Sequence, residues 1–75
     1  MTKPKPTSIT NRITEMRTAI GMTQSDLADR IGVTRQTVNA IEGGKYSPSL
    51  EVAFRIAQVF NKRLEDVFQY VAKPE

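Results

Sequence analysis

The segment from residue 23 to residue 42 reads Thr23-Gln-Ser-Asp-Leu-Ala-Asp-Arg-Ile-Gly-Val-Thr-Arg-Gln-Thr-Val-Asn-Ala-Ile-Glu42. Thr23 and Asp26 have the spacing of a capping box, in which each side chain accepts a hydrogen bond from the other residue's backbone N–H. Gly32 suits the left-handed position just past a helix end, and Thr34 can cap the next helix. The segment therefore predicts two short helices joined by a sharp turn.

The outward face of the second of these helices carries the residues that point to a function. At about 100° per residue, Val38 and Ile41 define the buried direction, and Gln36 lies almost directly opposite. Glu42 falls back toward the core edge. The outward face has no acid and consists of Arg35, Gln36, Asn39 and Ala40. Glutamine and asparagine can pair with adenine, arginine with guanine, and alanine can touch the thymine methyl group. An ordinary solvated helix face has a similar composition, so the face alone leaves both interpretations open.

The chain before residue 23 predicts an arm and a first helix. Residues 1–8 contain two prolines and two lysines, and we expect them to form a mobile arm. Ile13, Met16 and Ile20 form one apolar stripe at helical spacing. They predict a helix over about residues 11–20 that stops at Gly21.

The chain after residue 42 is rich in apolar residues. Ser49 can cap a helix over about residues 50–60. Its first apolar stripe is Leu50, Ala53, Phe54, Ala57 and Phe60, and its second is Val52, Ile56 and Val59. A helix that is apolar over most of its circumference is central to the core or lies partly in a subunit interface. Residues 64–68 predict one or two more helical turns, and residues 68–71 have strand-forming composition.

Length and composition exclude most kinds of chemistry. The 75 residues suffice for one compact domain, predicted over residues 9–72 with a short tail at 73–75. Histidine and cysteine are absent, which removes the commonest general base and the usual metal ligands. Asp26 and Asp29 are explained as a cap and a solvated acid, and Gly43-Gly44 lacks the pattern of a phosphate-binding loop. We therefore expect no enzyme, catalytic residue, metal, cofactor or small-molecule ligand.

The charge distribution favours a nucleic-acid partner over a membrane. The formal net charge is +3. Residues 1–35 carry six basic and three acidic side chains, whereas residues 36–75 carry five of each. The basic excess thus lies on the half that contains the capping box and the start of the outward face. No apolar run approaches the roughly 20 residues of a membrane span, and the polar, basic N-terminal residues lack the apolar stretch typical of a signal peptide. We expect a cytoplasmic, nucleoid-associated protein.

Residues 23–44 resemble the Cro/repressor-type family of bacterial and phage regulators. The family pattern T-Q-x-x-L-A-x-x-x-G-V-S/T-x-x-x-I/V-x-x-I/W-E-x-G has a counterpart here at every fixed position. Residues 44–50 also match a stretch found in short single-domain members, and the resemblance covers about residues 12–70. It implies a lambda-repressor-like fold, an all-α bundle of about five short helices. It also implies sequence-specific binding of double-stranded DNA, with the helix over residues 34–42 in the major groove.

The resemblance implies roles for individual side chains. With Ala40 added from the helical phase, the residues expected to contact bases are Arg35, Gln36, Asn39 and Ala40. The resemblance implies phosphate contacts for Gln24, Lys45 and Tyr46. Thr34 and Thr37 are added as expected phosphate contacts because their hydroxyl groups can donate to phosphate oxygens. Arg17 and Glu42 match a partly buried ion pair that locks two helices together. The competing interpretations are an exposed first-turn residue for Gln24, capping alone for Thr34, and a solvated loop with Tyr46 folded onto the core.

We expect a two-fold symmetric homodimer on a palindromic operator, because one recognition helix reads only a few base pairs. The expected interface comprises the second stripe of the fourth helix and the residues Val59, Leu64, Val67, Phe68, Tyr70 and Val71. Short relatives add a small antiparallel sheet there, for which residues 7–10 and 68–71 are the predicted strands. The rival is a monomer whose tail folds over its own core. We expect a repressor; an antitoxin that binds both a toxin and its own operator is the alternative.

Overall fold

The computed structural model describes residues 8–71, so the tail at 73–75 and residues 1–7 of the predicted arm lie outside the described residues. The elements are β1 (Ile9–Asn11), α1 (Ile13–Ala19), α2 (Gln24–Ile31), α3 (Arg35–Glu42), α4 (Leu50–Val59), α5 (Leu64–Val67) and β2 (Phe68–Tyr70). Within that range, five short helices and a small two-stranded antiparallel sheet confirm the predicted fold class.

The two central helices begin and end where the sequence predicts. The Thr23 Oγ1 atom accepts from the Asp26 backbone N–H at 3.0 Å, and Asp26 Oδ2 accepts from the Thr23 N–H at 3.0 Å. Gly32 ends α2 in the left-handed conformation, at φ 78°. Thr34 Oγ1 accepts from the Thr37 backbone N–H at 3.1 Å and caps α3. Both caps and the left-handed glycine are confirmed.

The core lies where α2, α3 and α4 meet, and α1 and α5 each contribute one fully buried side chain. The largest fully buried side chains are Ile13, Leu27, Ile31, Val38, Ile41, Ile56 and Val67. Val38 and Ile41, which were predicted to face inward from α3, are buried, and so are Leu27, Ala28 and Ile31 of α2. The predicted helical phase of α3 is therefore correct, and it determines which side chains this helix presents to solvent.

The first helix is shorter than predicted. Asn11 belongs to β1, and its Oδ1 atom accepts from the Ile13 backbone N–H at 3.1 Å, so the helix begins after it. At the other end α1 stops at Ala19 and the chain turns through Gly21. Ile20 consequently remains 61% exposed, and its predicted place in the buried stripe is wrong.

The fourth helix buries parts of both predicted stripes. Its buried residues are Ala53, Ile56 and Ala57, which are spaced by three and four positions and so share one helical face. Leu50 and Phe54 are left 68% and 48% exposed. The second stripe was predicted to lie in the subunit interface. Its central residue Ile56 is only 1% exposed and packs in the core of its own chain, so that prediction is wrong for Ile56.

The two ends of the described chain pair as an antiparallel sheet. Ile9 lies opposite Tyr70, Thr10 opposite Gln69, and Asn11 opposite Phe68. The N-terminal strand thus ends one residue later than the predicted range of 7–10, and residue 7 lies outside the described residues. Pairing continues up to the helices because the Arg12 N–H donates to the Val67 carbonyl at 2.9 Å.

Replacing Gly32 by alanine is expected to lower the free energy of unfolding by about 1–2 kcal/mol, because a Cβ disfavours left-handed backbone. Lack of space is not the reason, since the nearest atom to an added Cβ is Arg55 Nη1 at 3.6 Å. The matched control is Gly43→Ala, where φ is −80° and alanine should be neutral or stabilise by about 0.4–1 kcal/mol. Urea denaturation midpoints test both variants, and equal midpoints would contradict the explanation.

Candidate nucleic-acid interface

The outward face of α3 is accessible over its whole length. Arg35, Gln36 and Asn39 are exposed, and Ala40 is half-buried beside them. Val38 and Ile41 anchor the opposite face in the core, so the exposed side chains stand on a helix whose position is fixed by packing. The face offers hydrogen-bond donors and acceptors, one positive charge and one methyl group, and no carboxylate.

The acid nearest to this face is neutralised by an ion pair. Arg17 Nε lies 2.7 Å from Glu42 Oε2, and the side chains are only 12% and 7% exposed. Arg17 Nη2 also donates to Glu42 Oε1 at 3.1 Å. The predicted ion pair is confirmed, and its bidentate geometry joins α1 to the end of α3.

The Glu42 carboxylate accepts two further hydrogen bonds at Oε1. Thr14 Oγ1 donates at 2.9 Å and Gln24 Nε2 at 3.1 Å. Burial raises the pKa of the Glu42 carboxyl, but the hydrogen bonds from Arg17, Gln24 and Thr14 outweigh burial and lower the pKa below its ordinary value. Glu42 therefore stays ionised near neutral pH, and one carboxylate holds side chains of α1 and α2.

Gln24, the first residue of α2, is half-buried and not a freely exposed first-turn residue. Its amide nitrogen is held by Glu42 at the far end of α3. The competing interpretation of Gln24 as a simple solvated side chain is therefore wrong. Its position is suited to a phosphate contact, because it lies at the positive end of the α2 dipole.

A shallow cleft at the N-terminal end of α2 has the chemistry of an anion site. Arg35 of α3 lines this cleft together with Thr18, Thr23, Gln24 and Ser25. The backbone N–H groups of Gln24 and Ser25 make no hydrogen bond to any residue in the range 8–71. Free N–H groups at a helix start and an adjacent guanidinium attract a phosphate.

Thr34 and Thr37 are bonded to each other, which limits what they can donate. Their hydroxyl oxygens lie 3.0 Å apart, and Thr34 Oγ1 also accepts the Thr37 backbone N–H. One hydroxyl proton is used in the contact between the two oxygens. A single proton of the pair is left to donate to a phosphate.

The loop after α3 exposes both of its predicted phosphate-contacting side chains. The Lys45 side chain is exposed. Its backbone N–H donates to the Ala40 carbonyl at 3.0 Å, which ties the start of the loop to the end of α3. Tyr46 is 52% exposed. The alternative in which Tyr46 folds onto the core is therefore wrong.

The predicted subunit-interface residues differ widely in exposure. Val67 is fully buried in its own core, so its assignment to the interface is wrong. Val59, Leu64 and Phe68 are half-buried, and Tyr70 is 73% exposed. Leu64, Phe68 and Tyr70 line a shallow, mainly apolar depression together with Ile9, Glu65 and Gln69.

Two residues that connect this site were not singled out from the sequence. Thr14 donates to Glu42, and Asn11 Nδ2 donates to the Ile41 carbonyl at the end of α3 at 2.9 Å. Asparagine side chains commonly accept from the backbone N–H two residues further on, and this local turn motif could have identified Asn11. Thr14 carries no such signal, because its partner is 28 residues away.

Among residues 8–71, no group of three or more acidic, histidine or cysteine side chains is arranged to hold a metal ion. No helix in the same range is long and apolar enough to cross a membrane.

Comparison with known sequences identifies the family. A helix-turn-helix family model matches residues 13–67. An uncharacterised HTH-type transcriptional regulator of Archaeoglobus fulgidus is 54% identical over 57 residues, which are 76% of this chain and 81% of that protein. A similar regulator of Methanocaldococcus jannaschii is 50% identical over 60 residues, covering 80% and 91%. One of Bacillus subtilis is 48% identical over 58 residues, covering 77% and 88%.

Solved structures agree with this result. The restriction-modification controller protein C.AhdI from Aeromonas hydrophila matches with a TM-score of 0.68 and 31% identity, over 73% of this chain and 83% of that chain. A putative DNA-binding protein from Bacteroides fragilis matches with a TM-score of 0.73, over 81% of this chain and 98% of that chain. Its identity of 23% supports the fold alone.

The fold and the exposed face of α3 thus define a DNA-binding protein of the helix-turn-helix class. The chain belongs to the Cro/C1-type helix-turn-helix family of DNA-binding transcriptional regulators, and it is not an enzyme. Both the predicted family and the predicted class of function are confirmed.

Replacing Glu42 by alanine is expected to lower the free energy of unfolding by about 3–5 kcal/mol, because it leaves the buried Arg17 charge without its partner. The matched control is Glu51→Ala, which breaks a pair with Arg55 whose side chains are 75% and 50% exposed. Glu51→Ala should lower the free energy of unfolding by only about 0–1 kcal/mol. Chemical denaturation measures both values. A Glu42→Ala midpoint equal to that of Glu51→Ala would show that the buried pair contributes no more than an exposed one.

Proposed function

We propose that this regulator is a repressor that binds a palindromic operator as a two-fold homodimer, with α3 in the major groove. The observation that carries the proposal is the outward face of α3, which is exposed, free of acids and rigidly anchored by Val38 and Ile41. A helix with such a face fits the major groove, where amide and guanidinium groups recognise base edges.

In this proposal the side chains of α3 read the bases. Gln36 lies farthest from the core and contacts adenine or an equivalent donor–acceptor pair. Asn39 lies one turn further along the same face, and Ala40 offers its methyl group to a thymine. Arg35 lies between this face and the cleft at the start of α2, so it can reach a guanine or a phosphate.

Two groups of residues flank α3 and bind the phosphate backbone in this proposal. On one side are Gln24 and the free N–H groups at the start of α2. On the other side are Lys45 and Tyr46, in the loop that follows α3. The remaining hydroxyl proton of the Thr34–Thr37 pair adds a further donor. Such contacts fix the register of a helix on the duplex without reading sequence.

The dimer is proposed because a single copy has too little reading surface. One recognition helix contacts only a few base pairs, and a symmetric pair reaches two major-groove faces about 34 Å apart. Leu64, Phe68 and Tyr70 offer an apolar surface on which a second copy can pack. Leu50 and Phe54 of α4 are further exposed apolar side chains.

Repression follows from occupancy. A dimer bound across a promoter excludes polymerase without any further contact, so DNA binding is sufficient for the effect. We expect the protein to act in the cytoplasm at the nucleoid, where its DNA target lies.

Gln36→Ala should weaken binding to the operator by about 1–3 kcal/mol while sparing most of the affinity for random duplex. Lys45→Ala should weaken binding to both duplexes alike and reduce the slope of log affinity against log salt by about one unit. The operator is first selected from a random-sequence library and then titrated against random duplex at several salt concentrations. Equal losses on both duplexes for Gln36→Ala would rule out base reading by this residue.

Sedimentation equilibrium at micromolar concentration should give a species of about twice the 8.4 kDa chain mass. Tyr70→Glu should shift the species toward monomer, because it places a charge in the proposed apolar interface. Ile20→Glu is the matched control, since Ile20 is a similarly exposed apolar side chain outside that surface. A wild-type monomer that binds a single half-site one to one would refute the dimer. Equal effects of the two variants would refute this interface.

A further inference from the structure

Gln24 and Glu42 are joined by a hydrogen bond that links the start of α2 to the end of α3. The Gln24 Nε2 atom donates to Glu42 Oε1 at 3.1 Å, and the bond is partly buried. Gln24 is also a residue of the cleft that Arg35 lines at the start of α2. The bond therefore connects the buried ion pair to the side of the molecule proposed to face DNA.

The chemistry of the acceptor fixes which way the Gln24 amide faces. An ionised carboxylate can only accept hydrogen bonds, so the amide nitrogen and not the amide oxygen must lie against Glu42. The nitrogen then has one N–H left, and the carbonyl oxygen is turned away from Glu42. A phosphate also accepts only, so this remaining N–H is the group with which the side chain can bind it.

The acceptor is itself held in place by groups of α1. Arg17 donates twice to Glu42, and Thr14 donates to the same Oε1 atom that Gln24 uses. Arg17 Nη1 also donates to the Met22 carbonyl at 2.9 Å, just before the cap of α2. Glu42 is thus immobilised independently of Gln24, and it can act as a fixed support for the amide.

We propose that Glu42 is a positioning residue for DNA binding, which holds the Gln24 amide in the orientation that contacts a backbone phosphate. This inference rests on the proposed phosphate contact of Gln24. A glutamine side chain loses rotamer freedom when it is ordered. Because Glu42 orders the side chain in the free protein, DNA binding does not have to do so. The same bond fixes the position of this phosphate contact relative to α3.

A double-mutant cycle on DNA affinity separates positioning from stability. The four proteins are wild type, Gln24→Ala, Glu42→Gln and the double variant, titrated with a short mixed-sequence duplex, since a phosphate contact needs no operator. Glu42→Gln replaces the carboxylate by an amide of the same size. If the amide oxygen takes the position of Oε2, Arg17 keeps its shortest hydrogen bond. The new nitrogen then replaces Oε1 and meets the Gln24 nitrogen. Two donors cannot bond, so Gln24 either loses this hydrogen bond or reverses its amide, and both changes abolish the orientation that Glu42 sets.

The expected result is coupling between the two changes. Gln24→Ala should weaken binding by about threefold to tenfold with little change in the salt slope, because a neutral amide displaces no counterion. Glu42→Gln should weaken binding more when Gln24 is present than in the Gln24→Ala background. The ratio of the two effects should be similar to the effect of Gln24→Ala itself. The loss of the Glu42 charge acts on both backgrounds alike, so it cancels in the cycle.

Each other outcome has a distinct meaning. If Gln24→Ala leaves affinity unchanged, the proposed phosphate contact is wrong, and the positioning role is overturned with it. If Gln24→Ala weakens binding but the effects of the two changes simply add, the phosphate contact stands and the positioning role is overturned. Thr14→Val is the matched control, because it removes another donor to Oε1 without touching Gln24, and its effect should be additive with Gln24→Ala.

Nuclear magnetic resonance of the wild-type protein tests the bond even if Glu42→Gln does not fold. Protonation of Glu42 in acid weakens its hydrogen bond to Gln24, so the Gln24 side-chain amide shifts should titrate with the Glu42 carboxyl. Neither Arg17 nor Thr14, which also face this carboxylate, titrates in that range. Asp26 lies nearby on α2, so the midpoint must equal the one measured on Glu42 itself. Gln24 shifts that do not follow Glu42 would overturn the proposal; the exposed Gln36 is the control.

Discussion

The ion pair between Arg17 and Glu42 holds the three N-terminal helices in one arrangement. Its two side chains are largely buried, and the carboxylate also accepts from Thr14 and Gln24. A buried pair of this kind adds little net stability over an apolar equivalent, but removing one partner is strongly unfavourable. The pair therefore acts mainly on geometry. Packings of α1, α2 and α3 that separate the two charges are disfavoured, and the turn between α2 and α3 keeps one shape.

The same pair also prepares the surface for a polyanion. Glu42 is the only acid in α3, and its charge is compensated by Arg17 below the surface. The exposed face is left with Arg35 as its charged group, and Lys45 follows in the loop. A free carboxylate at this position would repel phosphates, since charges that lie within a few ångströms interact strongly when partly shielded from water. One interaction thus fixes the helices and removes an obstacle to DNA binding.

The opposite end of the molecule is connected to α3 through the sheet. Asn11 is the last residue of β1, and its side chain accepts from the start of α1 and donates to the Ile41 carbonyl near the end of α3. Hydrogen bonds of Asn11 therefore link the two-stranded sheet to α3, the helix that carries the exposed polar face.

Local signals in the sequence determined the two central helices, their caps, the left-handed glycine and the outward face of α3. Each depends on residues within four positions of one another, so helical geometry alone relates them. The family pattern added the Arg17–Glu42 pair, although their separation of 25 residues carries no local signal. Only the tertiary structure decided the rest: the exposure of Ile20, Leu50 and Phe54, the burial of Val67, and the bonds of Thr14 and Gln24 to Glu42. Those outcomes depend on which surfaces of distant helices meet, and an apolar stripe does not reveal how much of it a thin core can cover.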